Sequence, residues 1–551
     1  MLRRGLHILK KNWHWLFFVI IILTTVYMDV YISHNILDGD TSDFVCFGKT
    51  IAEQRNLFST DRYYTTEARP FDVATVFSLF FQLTSDYTFV RIFGTVFMQV
   101  LYVSAFVYMC RQTGIGWRES IVGAGVLLMP FSVPYARLVL YHLHYILYLT
   151  NAFWIIGLTA RMLQRKHANR LTGSILMGFW LLVGLNGIRH MMILGIPLLA
   201  FAAVELVQTL SYYRWENGKL TGNASFWKQD SVRLTAILAA SSIFFLIGYV
   251  INIKWLLPYL HVGNMGSTSF SPEATAQRYA DILNGWLVAI GVRCSELPLV
   301  SMRGASLLAS LGSFGYLITS SLMACCQKKD ERALSQRMVH SLVGVSFVTT
   351  TLIFIFESGG RHYYQYYAPV VALAAPSLVL ELNRLKQPMV SVGRKLLIVL
   401  TCLCFVFQGI YTMYYLTVDR WDMDDWNGLP YEELNTVETV EPYVAFMRKE
   451  GYTHGMINYW QANVMMEVSD GDLVVAPLLV YRDEQGNPII EVYHWGTSRS
   501  AFQKENLPER IVAFVDAASA DGFEQSFPHL KKVYDGGSTF GYELSPEDIA
   551  N

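Results

Sequence analysis

Residues Trp13 to Phe44 read WHWLFFVIIILTTVYMDVYISHNILDGDTSDF: an apolar run from Trp13 to Ile32, then three carboxylates within six positions, Asp38, Asp40 and Asp43. Arg3, Arg4, Lys10 and Lys11 precede the run and no small-residue cleavage site follows it. It therefore reads as an uncleaved first membrane span with a basic inner flank and an acidic outer one. The rest of the chain fits this start. The 551 residues are 53% hydrophobic, 14% aromatic and 16% charged, with a mean hydropathy of +0.30, whereas soluble domains carry roughly 25% charged residues. A soluble enzyme and a disordered scaffold are both excluded.

Ten further segments approach the length that a bilayer requires: about 87–110, 119–138, 143–160, 171–187, 190–210, 234–256, 303–324, 338–356, 366–382 and 396–416. The expectation is about eleven transmembrane helices. With the N-terminus inside, the short loops holding Arg161, Arg165, Lys166 and Arg170, or Arg384, Lys386, Arg394 and Lys395, become cytoplasmic and basic, as the positive-inside rule asks. The net charge of -1 hides about +14 on residues 1–418 and about -15 on 419–551. No basic stripe with interleaved aromatics occurs in the tail, so nucleic acid is not an expected partner.

The outer side then receives residues 33–86, 257–302, 357–367 and the whole tail. Phe71 to Leu83 is too short to span and apolar enough to lie in the interface as a juxtamembrane helix. Ser271-Pro272-Glu273 reads as a helix start, with Tyr279, Ile282, Leu283, Trp286 and Ile290 following at helical spacing, a loop able to close as a lid. The tail mixes helix-like stretches (437–449, 507–520) with strand-like runs (456–459, 473–475, 489–492), a small extracytoplasmic α/β domain. The domains expected are thus 1–418 in the membrane and 419–551 outside it. Cys46 and Cys294 are the two thiols expected to share the outer compartment and so to be a candidate disulfide. The sequon at Asn223 falls in an inner loop and reads as chance.

Three groups of residues can carry chemistry. A carboxylate at the edge of a low-dielectric site can take a proton from an incoming hydroxyl, so Asp40, Asp43 and Asp38 are candidate bases, set against a plain solvated loop. Asp38 and Asp40, one residue apart, are also a candidate pair for a divalent cation, Mg or Mn. Basic and aromatic residues gather on the same outer side: Arg69, Arg137 with His142 and His144, Arg189, His190, Lys254, Arg361, His362, Tyr363 and Tyr364. Arginine presents a planar fork to phosphate oxygens, and outer basic residues run against the inside bias. Glu357 is a second acid near this set or a salt-bridge partner for Arg361. In the tail, Tyr459-Trp460 with Asn463 suits sugar stacking, although a buried Trp in a small core is the commoner arrangement.

Asp38-Gly39-Asp40 with Asp43, the helix-like Phe44 to Ala52, Arg69-Pro70-Phe71, and Arg361-His362-Tyr363-Tyr364 leading to Pro369 resemble the GT-C superfamily of membrane glycosyltransferases. That superfamily includes protein O-mannosyltransferases, aminoarabinose transferases and oligosaccharyltransferases. The layout is similar over nearly the whole chain. The first loop has no Asp-Glu dipeptide, no second Pro follows Pro70, and the tail has no Trp-Trp-Asp motif. The resemblance implies a polytopic helical fold and a polyprenyl-phosphate (undecaprenyl-phosphate) sugar donor. It also implies a glycan, lipid or protein acceptor attacked on the outer side, with inversion. Asp40 or Asp43 would be the base. Arg69, Arg189, His190, Arg361 and His362 would hold the donor phosphate, and Tyr363, Tyr364, Glu357 and Lys254 the substrate. A secondary transporter and a lipid-linked polysaccharide ligase or polymerase are the alternatives.

Overall fold

The computed structural model describes residues 2–65, 68–164, 170–210, 214–216, 219–221, 229–262, 275–292, 300–326, 333–357, 364–388, 390–417 and 436–550. They form two compact units, one of Met1–Tyr27, Phe97–Val250 and Gly266–Tyr431, the other of Met28–Val96, Ile251–Met265 and Glu432–Asn551. Arg361, His362, Tyr363, Cys294, Asn223 and Ser271 to Glu273 lie outside the described residues, as does the Tyr364 side chain.

The protein is a helical membrane protein. Eight described helices are long and apolar enough to cross a bilayer, among them Asn12–Asn35, Tyr87–Gln112, Ile146–Gln164 and Val392–Thr417. The other three expected segments take different forms. Residues 119–138 become Trp117–Leu128 and Val133–Tyr141, bent by 93°. Met129, before Pro130, is held extended, and Ser132 restarts the helix by accepting from the Tyr135 amide. The segment 366–382 becomes Ala368–Ala372 and Ala374–Arg384, whose first turns contain Pro369 and Pro376. The segment 171–187 is a helix of 16 residues, Arg170–Leu185. In the first unit Phe131 stacks on Tyr135 at 4.0 Å and meets Phe405 edge-on at 5.2 Å. At the end of Ala374–Arg384, buried Glu381 accepts from Tyr316 (2.9 Å), Ser320 (3.0 Å) and Arg384 (2.9 Å), so its charge is fully paired.

The helix expected in the loop 257–302 is Ala276–Ala289, and its N-cap is Thr275, which accepts from the Arg278 amide. Ile282 and Trp286 are its buried face, Trp286 donating to Thr351 at 3.0 Å, while Tyr279 and Leu283 stay exposed.

In the second unit, helix Gly39–Gln54 packs on helix Val73–Phe81, which forms within the stretch expected to be helical at the interface, and strand Arg62–Tyr64 pairs in parallel with His261–Val262 and antiparallel with Thr497–Ser498. The tail holds a seven-stranded sheet. Its order is Lys531–Asp535, Thr539–Leu544, Ile511–Asp516, His454–Ile457, Val474–Arg482, Pro488–Val492, Ile549–Ala550. Helices Thr436–Glu450 and Tyr459–Val468 pack on one face through Val440, Met447, Met465 and Phe514, and Ala517–Ser526 on the other through Phe523, Ala513 and Val515. The stretch 507–520, read as helix, is mainly the strand Ile511–Asp516. Its Ile-Val-Ala-Phe-Val run is buried on both sides, so the alternation that marks a half-buried strand is missing.

Candidate active site

The three first-loop acids share one turn of helix Gly39–Gln54 and do three different things. Asp38 is its N-cap, with extended backbone and a carboxylate that accepts from the amides of Asp40 (3.1 Å) and Thr41 (3.4 Å). Asp43, one turn on, is buried and ion-paired with buried Arg62. The same guanidinium donates to the Asp43 carbonyl at 3.1 Å and lies 4.5 Å from the Phe47 ring. Burial pushes Arg62 down to about 10, which leaves it cationic at neutral pH. Asp40 alone of the three is partly exposed, and it accepts a hydrogen bond from the Tyr459 hydroxyl. Burial first, and then the Asp40 charge, hold the Tyr459 hydroxyl well above its ordinary range, so it stays protonated and remains a donor.

The backbone closes tightly round this turn. Gly496 donates to the Tyr63 carbonyl at 2.9 Å and adopts φ +60°. A Cβ there would lie 2.5 Å from the Asp43 Oδ1. Arg69 is paired with Asp72 at 3.1 Å and lies 5.7 Å from the Phe44 ring, while Asp72 caps helix Val73–Phe81 by accepting from Val73 at 2.8 Å. Asp43, Phe44, Tyr64, Arg69 and Asp72 line one narrow cleft. Lys254 is exposed, on the turn Asn252–Leu256, which is tied to the first loop by Asn252 donating to the Ala68 carbonyl at 2.7 Å.

Helix Tyr459–Val468 supplies partners that sequence reasoning did not assign to the first loop. Tyr459, Asn463 and Glu467 recur every four residues and form one polar stripe toward the first-loop helix. Tyr459 meets Asp40, the Asn463 carbonyl accepts from Cys46 Sγ at 3.8 Å, and buried Glu467 forms a two-bond pair with buried Arg91. Arg91 also donates to Ser42 at 3.1 Å. Burial pushes the Cys46 thiol up, and the Cys46–Cys294 pairing lies outside the described residues. The expectation that Trp460 is a core residue is corrected: one position off the stripe, it is 56% exposed, and Trp495 is the buried Trp instead. The Trp460 backbone packs against Gly39, where a Cβ would meet its carbonyl oxygen at 2.8 Å.

In the first unit, His190 is buried, stacked on Tyr148 at 4.4 Å and 3.4 Å from Asn151 Nδ2, and Arg189 beside it is half-buried. Glu357 is half-buried just past Leu334–Phe356. Burial raises its carboxyl, and the Arg278 charge acts in the opposite direction, while the expected pairing with Arg361 lies outside the described residues. Arg278 in turn donates to the Ile355 carbonyl at 3.0 Å.

No protein-family model and no curated protein matches the chain. Solved structures do. The aminoarabinose transferase ArnT from Cupriavidus metallidurans, in the apo state, is 10% identical, with 98% of this chain and 99% of that chain covered and a TM-score of 0.50. The oligosaccharyltransferase AglB from Archaeoglobus fulgidus, in complex with an inhibitory peptide and a dolichol-phosphate, is 13% identical, with 98% and 75% covered and a TM-score of 0.45. The arabinofuranosyltransferase AftD from Mycobacteria is 13% identical at a TM-score of 0.43, and the chain spans 42% of its length. The likeness is one of fold, and the ArnT structure carries it.

Proposed function

We propose, from a chain that has the fold of the GT-C membrane glycosyltransferases, that it moves a sugar from a polyprenyl-phosphate donor to an acceptor hydroxyl on the extracytoplasmic side. The observation that carries the reading is the division of labour among the acids. Asp38 is spent on capping and Asp43 on Arg62, while Asp40 is partly exposed with a protonated Tyr459 fixing one of its oxygens. Asp40 takes the acceptor proton as the acceptor oxygen bonds to the anomeric carbon, and the carbon–oxygen bond to phosphate breaks, releasing polyprenyl phosphate. Displacement in one step inverts the anomeric centre. The Arg62–Asp43 pair positions the turn that bears Asp40.

Arg69, Arg189, His190, Arg361 and His362 are the proposed ligands of the departing phosphate, where placed donors act most strongly in a water-poor site. Tyr363, Tyr364, Glu357 and Lys254 are proposed to contact substrate. The N-terminus is assigned to the cytoplasm and the tail to the outside, with 1–418 and 419–551 as functional domains. A divalent cation is a second reading, supported by the carboxylate oxygens of Asp38 and Asp40 lying within 4.8 Å of each other.

The test is polyprenyl-phosphate release from a panel of polyprenyl-phosphate sugars by the full chain in nanodiscs, read by mass spectrometry with and without chelator. Asp40→Asn is expected to lower release by about 10²- to 10⁴-fold. Release that survives Asp40→Asn but is lost in Asp43→Asn moves the base, and release from no donor overturns the reading.

A further inference from the structure

The seven-stranded sheet has a gap that the transfer chemistry does not use. Its central strand, His454–Ile457, is four residues long, and both parallel neighbours, Ile511–Asp516 and Val474–Arg482, run past its end. Pairing stops at Met456 with Ala513 on one side and at Ile457 with Pro477 on the other. Beyond that point the neighbours flank the place of a missing strand, about 10 Å wide at ordinary strand spacing. The chain leaving the central strand enters helix Tyr459–Val468 on one face, and the chain leaving Ile511–Asp516 enters helix Ala517–Ser526 on the other. Adjacent parallel strands whose helices part to opposite faces open a crevice at their carboxyl ends, the place where open α/β sheets take up ligands.

A cleft of about 350 Å³ occupies that place. Its lining includes the polar Asn458, Asp516, Ser519 and Ser526 and apolar side chains such as Leu478 and Phe523. Among the described residues the lining contains no Lys or Arg and a single carboxylate. The Asp516 carboxylate, itself at a helix start, disfavours an anion there, and a cation lacks the oxygen set it needs. Amide, carboxylate and hydroxyl groups set among aliphatic surface match a neutral sugar ring, which carries hydroxyls at its rim and C–H groups on its faces. Gly522 also lines the cleft, and a Cβ there would meet nothing within 4 Å, so the position has room for a side chain.

We propose that this cleft binds a neutral saccharide, the glycan part of the acceptor; the acceptor assignment rests on the glycosyl-transfer reading above. The experiment is saturation-transfer NMR on the full chain in nanodiscs with neutral methyl glycosides and disaccharides, with polyprenyl-phosphate release measured in parallel. Gly522→Leu adds side-chain volume at the lining with better helix propensity, and Asp516→Ala removes its carboxylate. Both are expected to weaken saccharide binding at least tenfold and to raise the acceptor KM while basal donor turnover stays unchanged, and Asp40→Asn is expected to bind as the wild type does. Equal binding by wild type and Gly522→Leu, no binding by any saccharide, or binding of short extended peptides in place of saccharides overturns the proposal. Absent donor release with saccharide binding intact counts against the transfer reading and leaves the cleft assignment standing.

Discussion

Removing Arg62 should cost far more than removing Arg62 and the Asp43 charge together. The two side chains are 5% and 8% exposed, so Arg62→Met leaves a carboxylate buried without its cation, a loss of about 3–5 kcal/mol. The contact with the Phe47 ring adds about 1 kcal/mol. Asp43→Asn keeps an acceptor for the guanidinium and the backbone bond at 3.1 Å, so it should cost about 1.5–3 kcal/mol. In Arg62→Met with Asp43→Asn no unpaired charge remains, and about 2 kcal/mol should be regained relative to Arg62→Met alone. Hydrogen exchange at the Gly496 amide reads this locally, because that amide donates to the Tyr63 carbonyl in the strand that bears Arg62. Each 1.4 kcal/mol is about tenfold. Protection should therefore fall by about 10³- to 10⁴-fold in Arg62→Met and recover more than tenfold in the double variant. Equal losses in the single and double variants would show that the pair is not coupled through charge. A loss of donor turnover of about 10³-fold in Asp43→Asn, with Gly496 protection unchanged, would make Asp43 the base and refute the positioning role.

Gly496→Ala places a side chain at φ +60° and 2.5 Å from the Asp43 carboxylate, so the same amides should lose protection by at least the roughly 1–2 kcal/mol of left-handed strain; unchanged exchange would contradict the close packing. Trp460→Ala, at a position 56% exposed, should change stability by no more than about 0.5 kcal/mol. The same variant should raise the acceptor KM about fivefold, as loss of one aromatic contact of about 1 kcal/mol implies, and an unchanged acceptor KM would remove Trp460 from the acceptor path. The Tyr452 hydroxyl and Arg510 hold the Glu543 carboxyl below the usual range. Its stabilisation is therefore complete above the ordinary carboxylate value of about 4.3 and is lost as pH falls through the lowered folded value. Wild type should exceed Glu543→Gln in tail-domain stability at pH 7, with the gap shrinking as pH falls below about 4.3; a gap that does not shrink on acidification rules the charge out as its source.

The membrane helices were legible because a run of apolar residues states its own length, and no distant partner is needed to interpret it. Where that rule failed, the cause was local and present in the sequence. Pro130 and Pro134 bend one expected span by 93°, and Pro369 and Pro376 each open a short helix in another. The strand Ile511–Asp516 failed for a different reason, since a strand covered on both faces loses the alternation that distinguishes it from a buried helix.

The acids were legible as a group and opaque as individuals. Asp38, Asp40 and Asp43 have the same chemistry and lie within six positions, and nothing near them in sequence separates a cap from a buried ion pair from a candidate base. The separation comes from partners outside the motif: Tyr459, 419 residues from Asp40, and Arg62, 19 residues from Asp43. One trace of this did exist. Tyr459, Asn463 and Glu467 repeat at four-residue spacing on a helix whose other positions include Ala462, Val464 and Met465, all buried. Three polar side chains at that spacing on a buried helix face need partners, because unpaired they would cost more than the helix gains by burying them. A polar stripe on a tail helix was therefore evidence of polar counterparts elsewhere: Asp40 in the first loop for Tyr459, and Arg91, itself bonded to Ser42, for Glu467. Trp460 follows from the same geometry: one residue off the stripe it turns about 100° away, which leaves an exposed indole beside the helix turn that carries Asp40.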